Sequence, residues 1–381
     1  ISFLGKGDPQ KGYRTANYRF DVDFARCVTF FGLALTEYLK PDDLILVGTA
    51  SSMWEIFFDR EGVDGEAMLP LIDAVAAGTV DESLLDLPRQ QLEKQLDIRV
   101  DCLLIPRAQT ADEQAEILRR LAEVVGPGER LWLDVTHGFR HLPMLALVAA
   151  RYLTRVVGVK VEEIFYGALE MTPPGGETPV LRLKGLLAML DWVDALATYD
   201  KDGDYGVFAP LLVDDGMPAD RAEGLASAAY FERTSNPVRA RETLSGVFSA
   251  AEAHEGPLGG LFGATLGKRM GWFRRTTRHD RELALADAYL DRRDYVRAAI
   301  FMYEAFVTRA CYKQRLDDND YAQRDEAYDN AASRTPAVAR LKRLRNALTH
   351  GVRTRDNQDA RALEREESLR DVLKSLRKTL F

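Results

Sequence analysis

Near the carboxyl end of the chain, an arginine and a histidine lie five positions apart in a basic, leucine-rich segment. The segment is RLKRLRNALTHG, residues 340 to 351, and the pair is Arg345 and His350. A histidine can accept or deliver a proton near neutral pH. An arginine offers a fork of donors that offsets negative charge on a phosphorane-like transition state. With Asn346 to orient either group, these residue types suit cleavage of an RNA backbone without a metal ion.

The spacing by itself is a weak signal, because a second R-x-x-x-x-H match runs from Arg274 to His279. The surroundings distinguish the two matches. Around Arg345 the helical period places leucines on one buried stripe, and Gly351 predicts the end of the helix. That stripe consists of Leu341, Leu344 and Leu348. The segment RRTTRH has neither the stripe nor the asparagine, and we predict that it is a solvated basic loop.

Three polar loops in the first half of the chain follow predicted strands. They are FLGKG (3–7), VGTASSMW (47–54) and LDVTHGFR (133–140). Ligands bind at the carboxyl ends of strands in an open parallel sheet, and the free N–H groups of a helix start attract anions. The loops therefore predict a polar floor for a phosphate-bearing ligand. None matches a dinucleotide fingerprint or a P-loop, which disfavours the usual dinucleotide or ATP site.

Two histidines in the third loop, His137 and His141, have the spacing of a metal pair. Pro143 indicates that the helix is only starting there, and the sequence offers no clear third ligand. We favour instead a cation and a hydrogen-bond donor that face an anion.

The elements that position these residues differ between the two halves. Apolar strands are predicted at 1–5, 44–50, 99–106, 130–136 and 161–170, with helices at 24–40, 110–126 and 141–158 between them. Strands alternating with helices indicate βαβ units in an open, Rossmann-like parallel sheet. A strand and tight turn are expected at 12–23. A turn and short strand at 172–185 should close the sheet edge, with a domain boundary near Gly185.

Helical periodicity dominates the second half, which predicts an all-α bundle. A helical hairpin is expected at 281–316, and two further helices at 336–351 and 362–380. The stretches 254–267 and 317–330 are rich in glycine or turn-forming residues, and we predict that they are loops.

Composition limits the possible partners and compartments. A net charge of −8 over 381 residues argues against coating nucleic acid through the overall field. A local basic patch is still expected, formed by Arg340, Lys342, Arg343 and Arg345. Three scattered cysteines predict neither a disulfide framework nor a zinc site, so a reducing cytoplasm fits best. The sequence shows no apolar run that predicts a membrane span or an export leader.

The loops of the first half followed by RNALTH resemble the CARF–HEPN ribonucleases of type III CRISPR systems, in the branch that carries a D-x-T-H-G-x-R loop. The resemblance implies a CARF domain at 1–185, a helical linker at 186–225 and a HEPN ribonuclease domain at 226–381. It implies a homodimer, or a higher oligomer, that binds a cyclic oligoadenylate across the CARF pair. The implied effector contacts are Gly5, Lys6, Gly7, Ser51, Ser52, Thr136, His137, Gly138 and Arg140.

The same resemblance assigns Arg345, Asn346 and His350 to a composite ribonuclease site with one set from each subunit. The enzyme would cleave single-stranded RNA in antiviral defence, without metal or cofactor, and leave a 2′,3′-cyclic phosphate. A ring of four adenylates is the expected activator. One alternative is a nucleotide-sensing regulator or scaffold whose helical domain only dimerises. Another is a metal-dependent nuclease, but the second half has no convincing D…[DE]-x-K arrangement.

Overall fold

A computed structural model describes residues 1–6, 14–58, 65–138, 142–333, 335–351, 354 and 356–381. The chain forms two compact units, Ile1–Ala188 and Met189–Phe381. The change from one unit to the other falls close to Gly185, where the sequence predicts a boundary.

The first unit is built on an eight-stranded mixed sheet with the strand order β3-β2-β8-β7-β6-β1-β4-β5. Five neighbouring strands form a parallel run in the order β7, β6, β1, β4 and β5. Strand β8 is antiparallel to β7. Strand β2 is parallel to β8, and β3 is antiparallel to β2. The strands are β1 (Ser2–Phe3), β2 (Ala16–Arg19), β3 (Ala25–Val28), β4 (Asp43–Gly48), β5 (Arg99–Leu104), β6 (Arg130–Asp134), β7 (Lys160–Gly167) and β8 (Thr178–Arg182).

Two details of the predicted sheet are wrong. Strand β8 does not close the edge, because the β2–β3 hairpin extends the sheet beyond it. The stretch at 24–40 is not one helix either, since its first part is β3, paired residue by residue with β2. Pairing with another strand outweighs the helical spacing of this apolar segment. The helix that follows begins only at Phe31.

Helices cover the parallel part of the sheet and connect its strands. The capping box at the start of α5 is confirmed, because the Thr110 hydroxyl accepts a hydrogen bond from the Glu113 N–H at 3.2 Å. The helices are α1 (Phe31–Leu39), α2 (Trp54–Phe58), α3 (Gly65–Ala77), α4 (Glu82–Leu96), α5 (Ala111–Glu123) and α6 (Leu142–Tyr152), which continues as a π-helix (Leu153–Val157). Helix α7 (Lys184–Asp202) spans the boundary between the units.

The described residues of the second unit contain helices and no strand, as predicted. None of the helices in the described ranges combines the length and apolar character needed to cross a membrane. The helices are α8 (Ala209–Asp214), α9 (Ala219–Arg233), α10 (Pro237–Glu252), α11 (Gly259–Arg269), α12 (Arg278–Asp291), α13 (Tyr295–Gln314), α14 (Tyr321–Ala332), α15 (Pro336–His350), α16 (Asn357–Leu363) and α17 (Glu366–Leu380), with short 3₁₀ helices at Tyr205–Phe208 and Gly271–Arg274.

A continuous hydrophobic core joins these helices. The segment 186–225, which we predicted to be a linker, contributes Trp192, Tyr199 and Phe208 to that core. These side chains therefore pack as part of the second unit. The hairpin predicted at 281–316 is confirmed as α12 and α13.

The two loops predicted in this half are wrong, because both stretches contain helices. In α11, the small Gly263 and Gly267 allow close packing on Glu252 of α10, where a Cβ atom at Gly267 would lie 3.0 Å from the Glu252 carboxylate. In α14, Asp320 caps the first turn by accepting from the Gln323 N–H at 2.8 Å. Glycine and aspartate here serve packing and capping.

Candidate functional site

The structure brings the three predicted polar loops of the first unit into direct contact. A Cβ atom at Gly5 would lie 2.4 Å from the backbone nitrogen of Gly138, so the loops after β1 and β6 touch through their backbones. Gly138 has a φ of +136°, a conformation that favours glycine. The Gly5 carbonyl also accepts from the Met53 N–H at 2.9 Å, which ties in the loop after β4.

The two serines of the β4 loop have different surroundings, although both are buried. The Ser52 hydroxyl donates to the Leu4 carbonyl at 3.0 Å and accepts from the Thr49 N–H at 2.9 Å. These bonds fix the loop and occupy that hydroxyl. The Ser51 hydroxyl lies 3.3 Å from that of Thr49 and keeps more capacity for a ligand.

A buried carboxylate at the end of β6 positions the third loop. Asp134 accepts from the Thr136 N–H at 2.8 Å and from the Ser2 hydroxyl, and burial raises the pKa of its carboxyl. The Thr136 hydroxyl accepts from the Gly167 N–H at 2.8 Å, which anchors it to β7. Sequence reasoning did not single out Asp134, although its place at a strand end beside Thr136 was a usable signal.

His137 is a buried, neutral side chain, so in the predicted pair of a cation and a hydrogen-bond donor it can only be the donor. Its Nε2 accepts a hydrogen bond from the Phe31 N–H at 3.1 Å, and its ring stacks on Phe30 with centroids 4.7 Å apart. Burial lowers its pKa to about 4. An accepting Nε2 puts the proton on Nδ1 in the neutral ring. His137 therefore links the β6 loop to the start of α1.

His141 lies outside the described residues. Within the ranges that the structure covers, no three His, Cys, Asp or Glu side chains cluster in a way that could hold a metal ion.

Lys6 is exposed, whereas the predicted contacts Gly7 and Arg140 lie outside the described residues. The structure adds a cation that sequence reasoning missed, the exposed Arg107 in the loop after β5. Gly78 lies next to both Arg107 and Ser51, because a Cβ atom at Gly78 would be 3.6 Å from Arg107 Nη2 and 3.6 Å from the Cβ of Ser51. Arg107 is therefore close to the β4 loop. Its place beyond the carboxyl end of a parallel strand could have identified it.

In the second unit, α15 carries the three predicted ribonuclease residues, of which Asn346 and His350 lie on its exposed side and Arg345 is half-buried. Leu341 and Leu344 are fully buried, and Gly351, with a φ of +63°, ends the helix. Asn346 and His350 are exposed. The predicted helix, its leucine stripe and its glycine stop are confirmed.

Arg345 is held by an aromatic ring that the sequence did not reveal. Its guanidinium carbon lies 4.4 Å from the centre of the Tyr303 ring on α13. Its Nε is buried and has no hydrogen-bond partner in the described part of the chain. Burial raises the pKa of Tyr303 to about 12, so the ring under the guanidinium is a neutral phenol. With its Nε buried, Arg345 would contact a substrate through its terminal nitrogens.

The predicted basic patch on α15 is weaker than expected. Arg340 and Arg343 both pair with Asp359 of α16, at 2.7 and 3.0 Å, and Asp359 is fully buried. Lys342 lies 4.1 Å from the centre of the Tyr328 ring. The patch of four basic residues is therefore partly offset, because Asp359 supplies one negative charge beside Arg340 and Arg343, and Asp356 lies 3.4 Å from Arg343.

In the second R-x-x-x-x-H match, the solvated loop that we predicted is confined to residues 275–277, between two helices. Arg274 ends a 3₁₀ helix and pairs with Glu252 at 2.5 Å, whereas His279 lies in the first turn of α12. Thr277 caps that helix by accepting from the Asp280 N–H at 3.2 Å. The cap forms here because a threonine precedes a good helical sequence. Burial lowers the pKa of His279.

Two comparisons relate this chain to known proteins. Residues 1–170 match the family model described as the CARF domain of the CRISPR system endoribonuclease Csx1. The chain is also 27% identical over 238 residues to the CRISPR-associated protein MJ1674 of Methanocaldococcus jannaschii. That alignment covers 56% of this chain and only 38% of the relative. A CARF domain implies sensing of a cyclic oligoadenylate. The first unit, with its mixed sheet, is therefore similar to a CARF domain, and an all-helical region follows it.

Proposed function

We propose that the chain is an endoribonuclease that a cyclic oligoadenylate activates, and that its helical unit is a HEPN domain. The observation that carries the proposal is the arrangement on α15. Arg345 is stacked on Tyr303, while Asn346 and His350 are exposed at the last turns of the same helix. The match of residues 1–170 to a Csx1 CARF domain supports the sensing half of the proposal.

The reaction is a transesterification within the RNA backbone. The 2′-oxygen bonds to phosphorus as its proton leaves, and the bond from phosphorus to the 5′-oxygen breaks as that oxygen gains a proton. The products are a 2′,3′-cyclic phosphate and a 5′-hydroxyl. His350 exchanges the proton, Arg345 offsets the charge on the phosphorane-like transition state, and Asn346 orients the phosphate.

One set of these side chains provides only one cation and one proton-transfer group for such a reaction. In a homodimer, two sets that face one scissile phosphate would double the positive charge around it. The second set is all the more important because Asp359 and Asp356 offset the charges of Arg340 and Arg343. Single-stranded RNA is the proposed substrate, because its flexible backbone can enter such a composite site.

The effector would bind at the carboxyl ends of the CARF strands. Lys6 and Arg107 supply cations for its phosphates, Ser51 supplies a hydroxyl, and Gly5 and Gly138 allow close backbone approach. A ring of four adenylates remains the proposed activator.

Substitution at α15 tests the proposal, with the second R-x-x-x-x-H match as its control. Arg345→Ala and His350→Ala should each lower the rate of activated RNA cleavage by about a hundredfold or more, because each removes a group that acts in the transition state. His279→Ala should leave the rate within about twofold of the wild type. Effector binding, followed as thermal stabilisation, should persist in all variants.

The proposal fails if the Arg345→Ala/His350→Ala double variant still cleaves RNA while it binds the effector. Stabilisation by the effector without RNA cleavage in the wild type would favour a sensing regulator or scaffold.

A further inference from the structure

A cavity of about 1000 Å³ lies beside the start of α15 in the second unit. Side chains of α13, α14 and the end of α17 line it, together with Thr335 at the cap of α15. Its polar lining includes Arg309, Lys313, Gln314, Asp329, Asn330 and Ser333. Hydroxyl, amide and cationic groups outnumber the single carboxylate, so the cavity suits an anionic, hydrogen-bonding ligand.

The cations of this cavity come from one face of α13. Lys313 is exposed, and no ion pair of its ammonium group occurs within the described ranges. Arg309 donates to the Leu380 carbonyl at 3.0 Å, which holds the guanidinium in place without neutralising it. The two cations outnumber the carboxylate of Asp329 in the lining, so the charged side chains of the cavity sum to a positive charge.

Aromatic rings and cations continue from this cavity along α15. Tyr328 of α14 lies under Lys342, and Tyr303 of α13 lies under Arg345, with the two ring centroids 5.6 Å apart. A helix rises 1.5 Å per residue, so the distance from Thr335 to His350 is about 22 Å along the axis. Both rings are buried, so a nucleic acid would meet the cations that lie over them, and a positively charged path along the backbone is typical of sites for single-stranded nucleic acid.

We propose that the cavity binds the backbone of single-stranded RNA several nucleotides from the scissile phosphate. The inference rests on the proposed ribonuclease function and adds a binding site remote from the catalytic residues. Lys313 and Arg309 contact phosphates there, and the strand then follows α15 past Lys342 to Arg345 and His350. The polar lining and the uncompensated lysine favour RNA over an apolar protein segment.

Charge reversal at Lys313 tests the cavity in full-length protein that also carries His350→Ala, so that RNA is bound but not cut. Lys313→Glu should weaken binding of a single-stranded RNA of about 20 nucleotides roughly tenfold, measured by fluorescence anisotropy with cyclic tetra-adenylate present. The slope of log affinity against log salt should fall by about one for each phosphate that the variant no longer binds. An RNA of about four nucleotides should lose less affinity, because it cannot span the helix.

Lys201→Glu is the matched control, an exposed lysine at the end of α7 in the same unit. It should bind both RNAs like the parent. Equal affinities of the Lys313→Glu and Lys201→Glu proteins would overturn the cavity proposal. So would a Lys313→Glu protein whose sedimentation shows reduced self-association with unchanged RNA affinity, because the cavity would then face a second copy. Failure of the proposed function would be recognised by a different result: the activated protein with the native His350 would not cleave RNA.

Discussion

At the scale of single residues, the stacking of Arg345 on Tyr303 defines the candidate ribonuclease site. A guanidinium on a neutral ring keeps its plane fixed and gains about 1 kcal/mol of cation–π attraction. Its buried Nε makes no hydrogen bond in the described part of the chain, so the ring is the group that orients it. We therefore treat Tyr303 as a positioning residue for Arg345.

Substitution of Tyr303 should affect turnover more than binding. Tyr303→Leu should lower kcat about tenfold and change KM little, because a misplaced guanidinium is missed mainly in the transition state. Tyr303→Phe keeps the ring and should stay within about twofold of the wild type. Steady-state RNA cleavage by the three proteins checks this. A Tyr303→Leu protein that folds normally and retains wild-type kcat would contradict the positioning role.

Arg107 is the cation that the structure adds to the proposed sensing site. Arg107→Ala should raise the cyclic tetra-adenylate concentration for half-maximal activation by about tenfold or more, because it removes a charge-assisted phosphate contact. Its control is Arg99→Ala, at the amino end of the same strand, which should change the concentration by less than about twofold. Titration of the RNA cleavage rate distinguishes them. Equal shifts for both variants would exclude Arg107 from the site.

The sequence could predict which polar residues lie in the loops, but it could not predict whether those residues are charged. His137 was identified by its place after a strand, yet its neutrality follows from its burial beside the Phe30 ring and the Phe31 N–H. Both contacts come from a segment more than a hundred positions away. The same holds for Arg340 and Arg343, whose partner Asp359 belongs to a different helix.

At the scale of elements, the contact between the loops after β1 and β6 shapes the sensing edge of the sheet. Gly5 and Gly138 approach so closely that a side chain at position 5 would collide with the backbone of Gly138. The floor of the site is thus backbone, which can approach a phosphate without a barrier of side chains.

Gly5→Ala should force the two loops apart. A Cβ atom 2.4 Å from backbone is not tolerated, so we expect a loss of roughly 1–3 kcal/mol in the free energy of unfolding. Gly185→Ala is the control, since a Cβ atom at this position of α7 would have no neighbour within 4 Å among the described residues. Thermal unfolding of both variants without ligand measures the difference. Equal stability of the two proteins would contradict the close approach of the loops.

Sequence patterns predicted elements well where the period and the caps agreed. The Thr110 capping box and the leucine stripe of α15 are examples. The sequence patterns predicted the wrong structure for β3, α11 and α14. Pairing with β2 decided the first outcome, packing of glycines against Glu252 the second, and a local aspartate cap in a turn-rich stretch the third.

At the scale of the whole molecule, the second unit has a buried carboxyl in its core that makes its stability depend on pH. Glu232 accepts from the Tyr289 hydroxyl at 2.9 Å and is almost wholly buried. Burial raises its pKa from 4.5 to about 7. The folded protein therefore keeps a proton that the unfolded chain releases above pH 4.5.

This linkage has a definite sign. The contribution of Glu232 to the free energy of unfolding is complete below pH 4.5 and is lost as the pH rises to about 7, a change on the order of 3 kcal/mol. Glu232→Gln should remove that dependence. Urea unfolding of the wild type and the variant between about pH 4.5 and 8 checks the difference between their curves. Parallel curves would show that Glu232 is not protonated in the fold.

The parallel strands, the change to helices near Gly185 and the motif on α15 could all be predicted from one sequence. The composite nature of the proposed site is a property of an assembly, so periodicity and spacing in one chain cannot predict it. Tyr303 and Arg107 were missed because their roles depend on which elements pack together.

RNA cleavage in the presence of EDTA, with each cyclic oligoadenylate in turn, is the decisive measurement for an effector-activated, metal-independent ribonuclease. We predict that cyclic tetra-adenylate switches on cleavage of single-stranded RNA, that EDTA does not reduce the rate, and that the fragments end in 2′,3′-cyclic phosphates. We also predict that His350→Ala abolishes the activity. Cleavage that EDTA abolishes, or no cleavage with any ring that stabilises the protein, would contradict the proposed function.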